Sequence, residues 1–376
     1  MNPQDRTQEA ARQGGQPAVV LLNFGGPRNP EEVPGFLFEI LRDPNTLQLP
    51  FPQWLQDRFA RRIARRRSPE IQRQYGEIGG ASPIVAATDR LAVALREALA
   101  EAGAPPAVYV VHRNLAGWAD RTASELVAAG VDAILALPLY PQFSFATSGS
   151  AFQQLGEALR RAGYRGEIAA VRDYPDAPGY LDALAHRLQA CLDAGNLKPA
   201  ETVILCSAHG LPSAYVERGD PYRLELYRTL AALRARFPAW RFVLSFQSRV
   251  GPMEWLRPYT DEIIPELAEA GARHLVFLPV SFVNDHIETL FEIGHTYFDL
   301  ARRHGLTPHL VRAVEDHPAF VAMLRDAVLA WRKGHGGVPM AELLPPDRSF
   351  VRTGAWAWGL WLAALFTALL FALTAG

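Results

Sequence analysis

Two kinds of apolar pattern alternate along the chain. The first is a short, mostly apolar run, found at 18–23, 107–112, 133–139, 167–171, 202–207, 241–246, 274–280 and, more weakly, 309–312. Runs of this length, apolar at most positions on both faces, are what strands buried on both faces require. The second pattern repeats every three or four residues. Leu91, Leu95, Ala98 and Leu99 make one such stripe, as do Phe152, Leu155 and Leu159, then Leu181, Leu184, Leu188 and Leu192. Leu226, Leu230 and Leu233 continue it, followed by Ile263, Ile264 and Leu267, and last by Phe320, Met323, Leu324, Ala327, Val328 and Trp331. Each stripe marks one face of a helix. Four strands alternating with helices, twice over, predict an α/β fold of two doubly wound domains, each with a parallel four-stranded sheet. The expected division is 18–175 and 176–335, the second closed by a final crossing helix. Residues 1–17 are polar and read as a disordered lead-in, and 336–352 read as a linker.

The last stretch, 353–376, carries no charge and is rich in Leu, Ala, Phe and Trp. It is long enough to span a bilayer as a helix. Trp356, Trp358 and Trp361 sit where an interfacial belt would lie, and Arg348 and Arg352 precede them. The expectation is a single-pass C-terminal anchor that leaves the bulk of the chain on the cytoplasmic face of the cell (inner) membrane. A basic run at 61–67 reads either as a solvated helix face or as a contact for anionic head groups. The Pro-punctuated stretch 43–52 reads as a lip or lid loop. A formal charge of −1 speaks against a nucleic-acid partner. Two cysteines, Cys191 and Cys206, are too few for a disulfide framework or a four-thiolate cluster.

Ligands in open α/β sheets bind beyond the carboxyl ends of the strands. The ends at 23–27, 112–114, 140–144, 209–212, 247–250 and 281–288 are therefore expected to converge on one cleft. Two of them carry chemistry. One strand runs into Ser207-Ala208-His209-Gly210, which offers an acid/base or metal-contacting imidazole. The other runs into Asp285, Glu288, Glu292, His295 and Asp299, spaced by three, four, three and four residues and so expected on one helical face. Such a stripe is either a solvated face or a line that passes protons or a hard cation inward. No P-loop, dinucleotide fingerprint, C-x-x-C, H-E-x-x-H or G-x-S-x-G occurs.

Taken in order, L-N-F-G-G-P (22–27), R-R-R-S-P-E-I-Q-R-Q-Y-G-E-I-G-G-A-S-P-I (65–84), L-Y-P-Q-F-S (139–144), S-A-H-G-L-P (207–212), R-G-D-P-Y (218–222), F-Q-S-R-V-G-P-M-E-W-L (246–256) and D-H-I-E-T-L (285–290) resemble the ferrochelatase family. The resemblance implies two Rossmann-like, chelatase-type domains around a cleft, and insertion of Fe²⁺ into protoporphyrin IX to form protohaem at the last step of haem biosynthesis. It implies His209 and Glu288 as the catalytic and metal-contacting pair, and Asp285, Glu292 and His295 as a proton or metal relay. It places Phe24, Arg113, Tyr140, Ser248, Trp255 and Phe282 around the porphyrin. Fe²⁺ is then a substrate and no cofactor is required. Protoporphyrin IX, the membrane and an upstream oxidase of the haem pathway are the implied partners, and the terminal cysteines that hold an iron–sulfur cluster in some members are absent. The chain departs from the family where Asn114 replaces a tyrosine, where Phe24 cannot ligate metal, and where Thr296 stands in place of a third acid that His295 or Asp299 would have to supply. The alternatives are a coproporphyrin III ferrochelatase and a catalytically silent porphyrin or haem carrier.

Overall fold

β1 (Gln16–Asn23) opens the fold, and its last six residues are buried because the sheet is covered on both faces. In a computed structural model, residues 16–43, 52–104, 107–249 and 253–344 are described. After β1 come α1 (Val33–Arg42), α2 (Gln53–Glu77), α3 (Ile84–Glu101), β2 (Ala107–His112), α4 (Trp118–Ala128) and β3 (Val131–Pro138). A π-helical turn (Phe145–Gly149) leads into α5 (Ser150–Arg161), then β4 (Glu167–Ala170) and α6 (Pro178–Ala194). The second half runs β5 (Thr202–His209), α7 (Ser213–Glu217), α8 (Tyr222–Arg236), β6 (Arg241–Gln247), α9 (Thr260–Glu269) and β7 (His274–Pro279). A π-helix (Glu288–Tyr297) continues as α10 (Phe298–Arg303), followed by β8 (Thr307–Leu310), α11 (Pro318–Arg332) and β9 (Val338–Pro339).

Strand order is β2-β1-β3-β4-β9 in the first sheet and β6-β5-β7-β8 in the second. The second sheet is parallel and four-stranded, as the pattern predicts. The first is not: β9 adds an antiparallel edge, pairing Ala169 with Pro339 and Ala170 with Val338. That strand falls inside the expected linker, so 336–352 is corrected over its first part. Gly336 and Gly337, both at positive φ, turn the chain back after α11. Met340 and Leu343 then bury against the first sheet. The remainder of that segment, 345–352, lies outside the described residues. So do 1–15 of the expected lead-in, whereas Gln16 and Pro17 already belong to β1. Among the described residues no helix is long and apolar enough to cross a membrane. The expected anchor at 353–376 lies outside them.

One apolar core joins the halves. Leu21, Leu135 and Leu137 from the first sheet share it with Ile204, Cys206, Val276 and Leu278 from the second. The crossing helix α11 supplies Phe320, Leu324, Val328 and Trp331 to the same core, alongside Leu91 and Leu95 of α3 and Leu184 and Leu188 of α6. Phe320 is fully buried, with the Tyr174 and Tyr180 rings 5.9 and 6.3 Å away. The Tyr180 hydroxyl donates to the Val280 carbonyl at the end of β7 (2.7 Å), which ties this aromatic cluster to the cleft floor. Phe320→Ala is expected to cost about 3–5 kcal/mol of stability by leaving a cavity there. Denaturant unfolding would measure it, and a loss below about 1 kcal/mol would contradict this account of the joint.

Candidate active site

The strand ends converge as expected. His209 is the last residue of β5, in register with Gln247 of β6. The backbone around it is held from three sides. Its N–H donates to the Ser281 hydroxyl (3.1 Å), and its carbonyl accepts from the Tyr222 hydroxyl (3.0 Å). Next to it, Gly210 N–H donates to the Gln247 carbonyl (2.8 Å). Glycine is required at 210 by close approach: a Cβ would meet that carbonyl at 2.7 Å and the Trp255 ring at 3.0 Å. Trp255 therefore lies directly against the His209 turn.

The His209 Nδ1 sits 2.8 Å from Glu288 Oε2. Burial disfavours the charged imidazole, but the Glu288 charge and hydrogen bond outweigh it, and the His209 pKa ends above its ordinary value. For Glu288 the order is the same. Burial would raise its pKa, yet the His209 and His286 contacts hold it well below the usual carboxylate range. The signs follow from these directions. The raised histidine favours the folded state below its ordinary pKa near 6.5, an effect lost as pH rises through the raised value; the depressed acid favours it above about 4.3, an effect lost as pH falls through the lowered one. With Nδ1 committed to the carboxylate, Nε2 is the nitrogen left to take a proton, and the side chain keeps 40% of its surface exposed.

Glu292 is the second acid of the site. It accepts from the Ser248 N–H (2.9 Å), from the Ser248 hydroxyl and from the Tyr297 hydroxyl (3.0 Å). Burial and the neighbouring Glu288 charge raise its pKa. Ser248 meets it by adopting a left-handed φ of 64°, uncommon for a non-glycine residue. Phe282 closes the other side, edge-on to His209 at 6.5 Å and against His286 at 4.6 Å.

The expected five-residue face is not formed. From Glu288 to Tyr297 the helix is of π type, bonding i to i+5 rather than i to i+4, so the stripe drifts off one line. Asp285 lies before that helix and is fully buried elsewhere, accepting from Arg312 Nε (2.5 Å) and the Thr289 hydroxyl (3.0 Å). His295 pairs with Glu77 of α2 (Nδ1–Oε2 3.2 Å). Asp299 is exposed beside Arg302. Of the expected relay, Glu292 alone adjoins the His209–Glu288 pair. His295 and Asp299, expected to supply the missing third acid, are held by Glu77 and Arg302, and the group that reaches Glu292 from that side is the Tyr297 hydroxyl.

The first half contributes the opposite wall. Phe24 packs edge-on to Phe36 (6.2 Å), and its carbonyl accepts from both the main-chain and side-chain nitrogens of Asn114 (each 3.1 Å). Asn114, a departure from the family pattern, thus fixes the backbone of Phe24, another departure. Asn23 joins the halves with a bond from Nδ2 to Asn284 Oδ1 (2.8 Å). Tyr140 has its hydroxyl buried, which raises its pKa. Arg113 is buried rather than open to a substrate carboxylate, held by Asp43 (2.5 Å) and the Ala146 carbonyl (2.9 Å). Sequence reasoning passed over His286, whose Nε2 is 3.8 Å from Glu288 Oε2, and Tyr222 and Gln247, which brace the His209 turn. The quoted motifs contained all three, but nothing in their spacing says which way they face. Among the described residues no group of three or more His, Cys, Asp or Glu side chains is arranged to hold a metal ion.

The fold is of the chelatase type. SirB from Bacillus subtilis, solved with Fe³⁺, superposes with a TM-score of 0.50 at 12% identity over 84% of this chain and 96% of that one, a likeness of fold. The ferrochelatase family model matches residues 16–331. The ferrochelatase of Synechococcus elongatus is 38% identical over 93% of this chain and 92% of its own length, and that of Thermosynechococcus vestitus 37% identical over 93% and 91%. This chain belongs to the ferrochelatase family.

Replacing Glu288 removes the charge that holds the His209 pKa up. In Glu288→Gln the imidazole midpoint, followed by NMR titration, is expected to fall from above about 6.5 to below it. An unmoved midpoint would contradict the coupling.

Proposed function

We propose that this ferrochelatase inserts Fe²⁺ into protoporphyrin IX, with His209 as the proton acceptor and Glu288 as its partner. Family membership makes it an enzyme that puts iron into a porphyrin in haem synthesis. The observation that carries the residue roles is the 2.8 Å bond between His209 Nδ1 and Glu288. Metallation releases two protons from pyrrole nitrogens as one dication enters, leaving a neutral metalloporphyrin core. Glu288 orients the imidazole so that its Nε2 lone pair is free, and it stabilises the imidazolium that forms when a pyrrole proton is taken. The same two side chains offer an incoming Fe²⁺ one nitrogen and one carboxylate, donors that suit it without enclosing it. Glu292, beside Glu288 and with a raised pKa, is placed to pass the proton on. Trp255, Phe282 and Phe24 supply apolar surface for a flat ring, and Tyr140 and Ser248 border the same cleft. No further cofactor enters the scheme, and with two cysteines in the chain it includes no iron–sulfur cluster.

Residues 353–376 are proposed as a single-pass anchor holding the cleft at the cytoplasmic face of the cell membrane. A poorly soluble porphyrin gathers there, and the oxidase that supplies it would work at the same surface. The uncharged length and the flanking Arg348 and Arg352 support this reading.

Anaerobic insertion assays with protoporphyrin IX and, separately, coproporphyrin III test the reaction. Haem formation is expected faster from protoporphyrin; faster metallation of coproporphyrin would overturn the substrate, and tight binding with no metallation of either would point to a carrier. His209→Ala is expected to lower turnover by at least about 100-fold while keeping most of the porphyrin binding. Near-normal turnover would sink the assigned role. Removal of 353–376 is expected to move the active protein from the membrane to the soluble fraction, and continued sedimentation with membranes would refute the anchor.

A further inference from the structure

Four consecutive residues of the first half are gripped by the second. Gln142 Nε2 donates to the Thr229 hydroxyl (2.9 Å) and to the Val280 carbonyl (3.0 Å). Phe143 N–H donates to Glu225 Oε2 (2.5 Å). The Ser144 hydroxyl and the Phe145 N–H both donate to Asp220 Oδ2 (2.8 and 2.9 Å). Glu225 and Asp220 are each 3% exposed and lie on or just before α8, away from the His209–Glu288 pair. Burying two carboxylates is costly unless each is matched by donors, so their placement at one short segment calls for a reason.

That segment connects two expected contacts of the porphyrin. Tyr140 lies just before it. Ala146, just after it, gives the carbonyl that holds Arg113 Nη1 (2.9 Å). We propose that Glu225 and Asp220 are positioning residues for porphyrin binding, two buried acids of the second half that clamp 142–145 and thereby set Tyr140 at the cleft wall. The proposal rests on the porphyrin-binding reading of the cleft given above.

The two acids differ in what surrounds them. Asp220 also accepts from Tyr222 N–H (3.0 Å); burial raises its pKa and its three main-chain and hydroxyl donors oppose that. Glu225 faces a charged rim. Arg172 Nη2 lies 3.1 Å from Oε1, and its guanidinium sits over the Phe143 ring at 5.0 Å. Asp173 and Arg228 also face it. Burial, helped by the Asp173 charge, pushes Glu225 up to about 7, against the pull of Phe143 N–H, Arg172 and Arg228. The charge-assisted bond to Phe143 is therefore present above neutral pH and weakens as pH falls through about 7.

Equilibrium binding of protoporphyrin IX to the full chain, read by porphyrin fluorescence across pH, tests the clamp without requiring turnover. In the wild type the dissociation constant is expected to rise about fivefold as pH falls through neutrality, the difference between a charged and a neutral hydrogen bond. Arg172→Ala, at a half-exposed position, removes a charge that lowers the Glu225 pKa and should move that rise to higher pH. Glu225→Gln keeps the shape but cannot ionise; it should bind about fivefold more weakly at high pH and lose the rise. In insertion assays the loss should fall on KM rather than kcat. A pH dependence of binding unmoved by either substitution would overturn the clamp. Absence of wild-type metallation with the shifts intact would instead fault the assigned reaction and leave the clamp standing.

Discussion

The hydrogen bond from His209 to Glu288 joins the end of β5 to the start of the π-helix that follows the neighbouring strand β7, and most of the cleft is arranged to keep it. An imidazole and a carboxylate placed at a sheet edge would separate into solvent unless their backbones were held. Here Ser281 and Tyr222 hold the His209 main chain, and Gln247 holds Gly210 beside it. Gln247 also reaches the Glu288 carbonyl with Nε2 (3.3 Å), so one residue braces both sides of the pair, Gly210 through its main chain and Glu288 through its side chain. The π-helix that begins at Glu288 serves the same end. Its wider turn brings Glu292 and Tyr297, five residues apart, into contact at 3.0 Å and leaves Glu292 beside the pair.

A cleft between two sheets is useful only if the sheets keep their distance. The shared core under α11 sets that distance from below, and polar bonds at the rim set it from above. Asn23 to Asn284, Gln142 to Val280, and the Asp220 and Glu225 contacts all cross between halves. The rim bonds fall on the segments that carry Phe24 and Tyr140, so the geometry of the first-half wall is decided by residues of the second half. This explains why R-G-D-P-Y belongs with the other motifs although none of its residues meets the His209–Glu288 side chains: Asp220 holds 144–145 and Tyr222 holds the His209 carbonyl.

The strands were readable because their short runs are mostly apolar on both faces, and the convergence of their ends follows from doubly wound topology. His209 and Glu288 stood out singly because both follow such ends, and their pairing was implied by the resemblance to the ferrochelatase family. The single acidic face was misread for a physical reason. Spacings of three and four imply an α-helical face, and nothing in E-T-L-F-E-I-G-H-T-Y announces a π-helix. Asp285 therefore looked continuous with Glu288, when it is buried against Arg312. Arg113 was readable as a cation near the cleft but not as one already paired with Asp43. β9 was missed because a two-residue strand after two glycines has no periodicity to detect. The residues that brace the site, Tyr222, Gln247 and His286, act through main-chain and third-party contacts that exist only once the halves are packed.

The account stands on neutral His209 as the proton acceptor with its pKa held up by Glu288. The most direct test is the pH dependence of kcat for anaerobic Fe²⁺ insertion into protoporphyrin IX at saturating porphyrin, which separates it from changes in binding. The account predicts that kcat climbs with pH through a single midpoint above about 6.5, the ordinary histidine value. A kcat that is flat across that range, or that falls as pH rises through it, would contradict it.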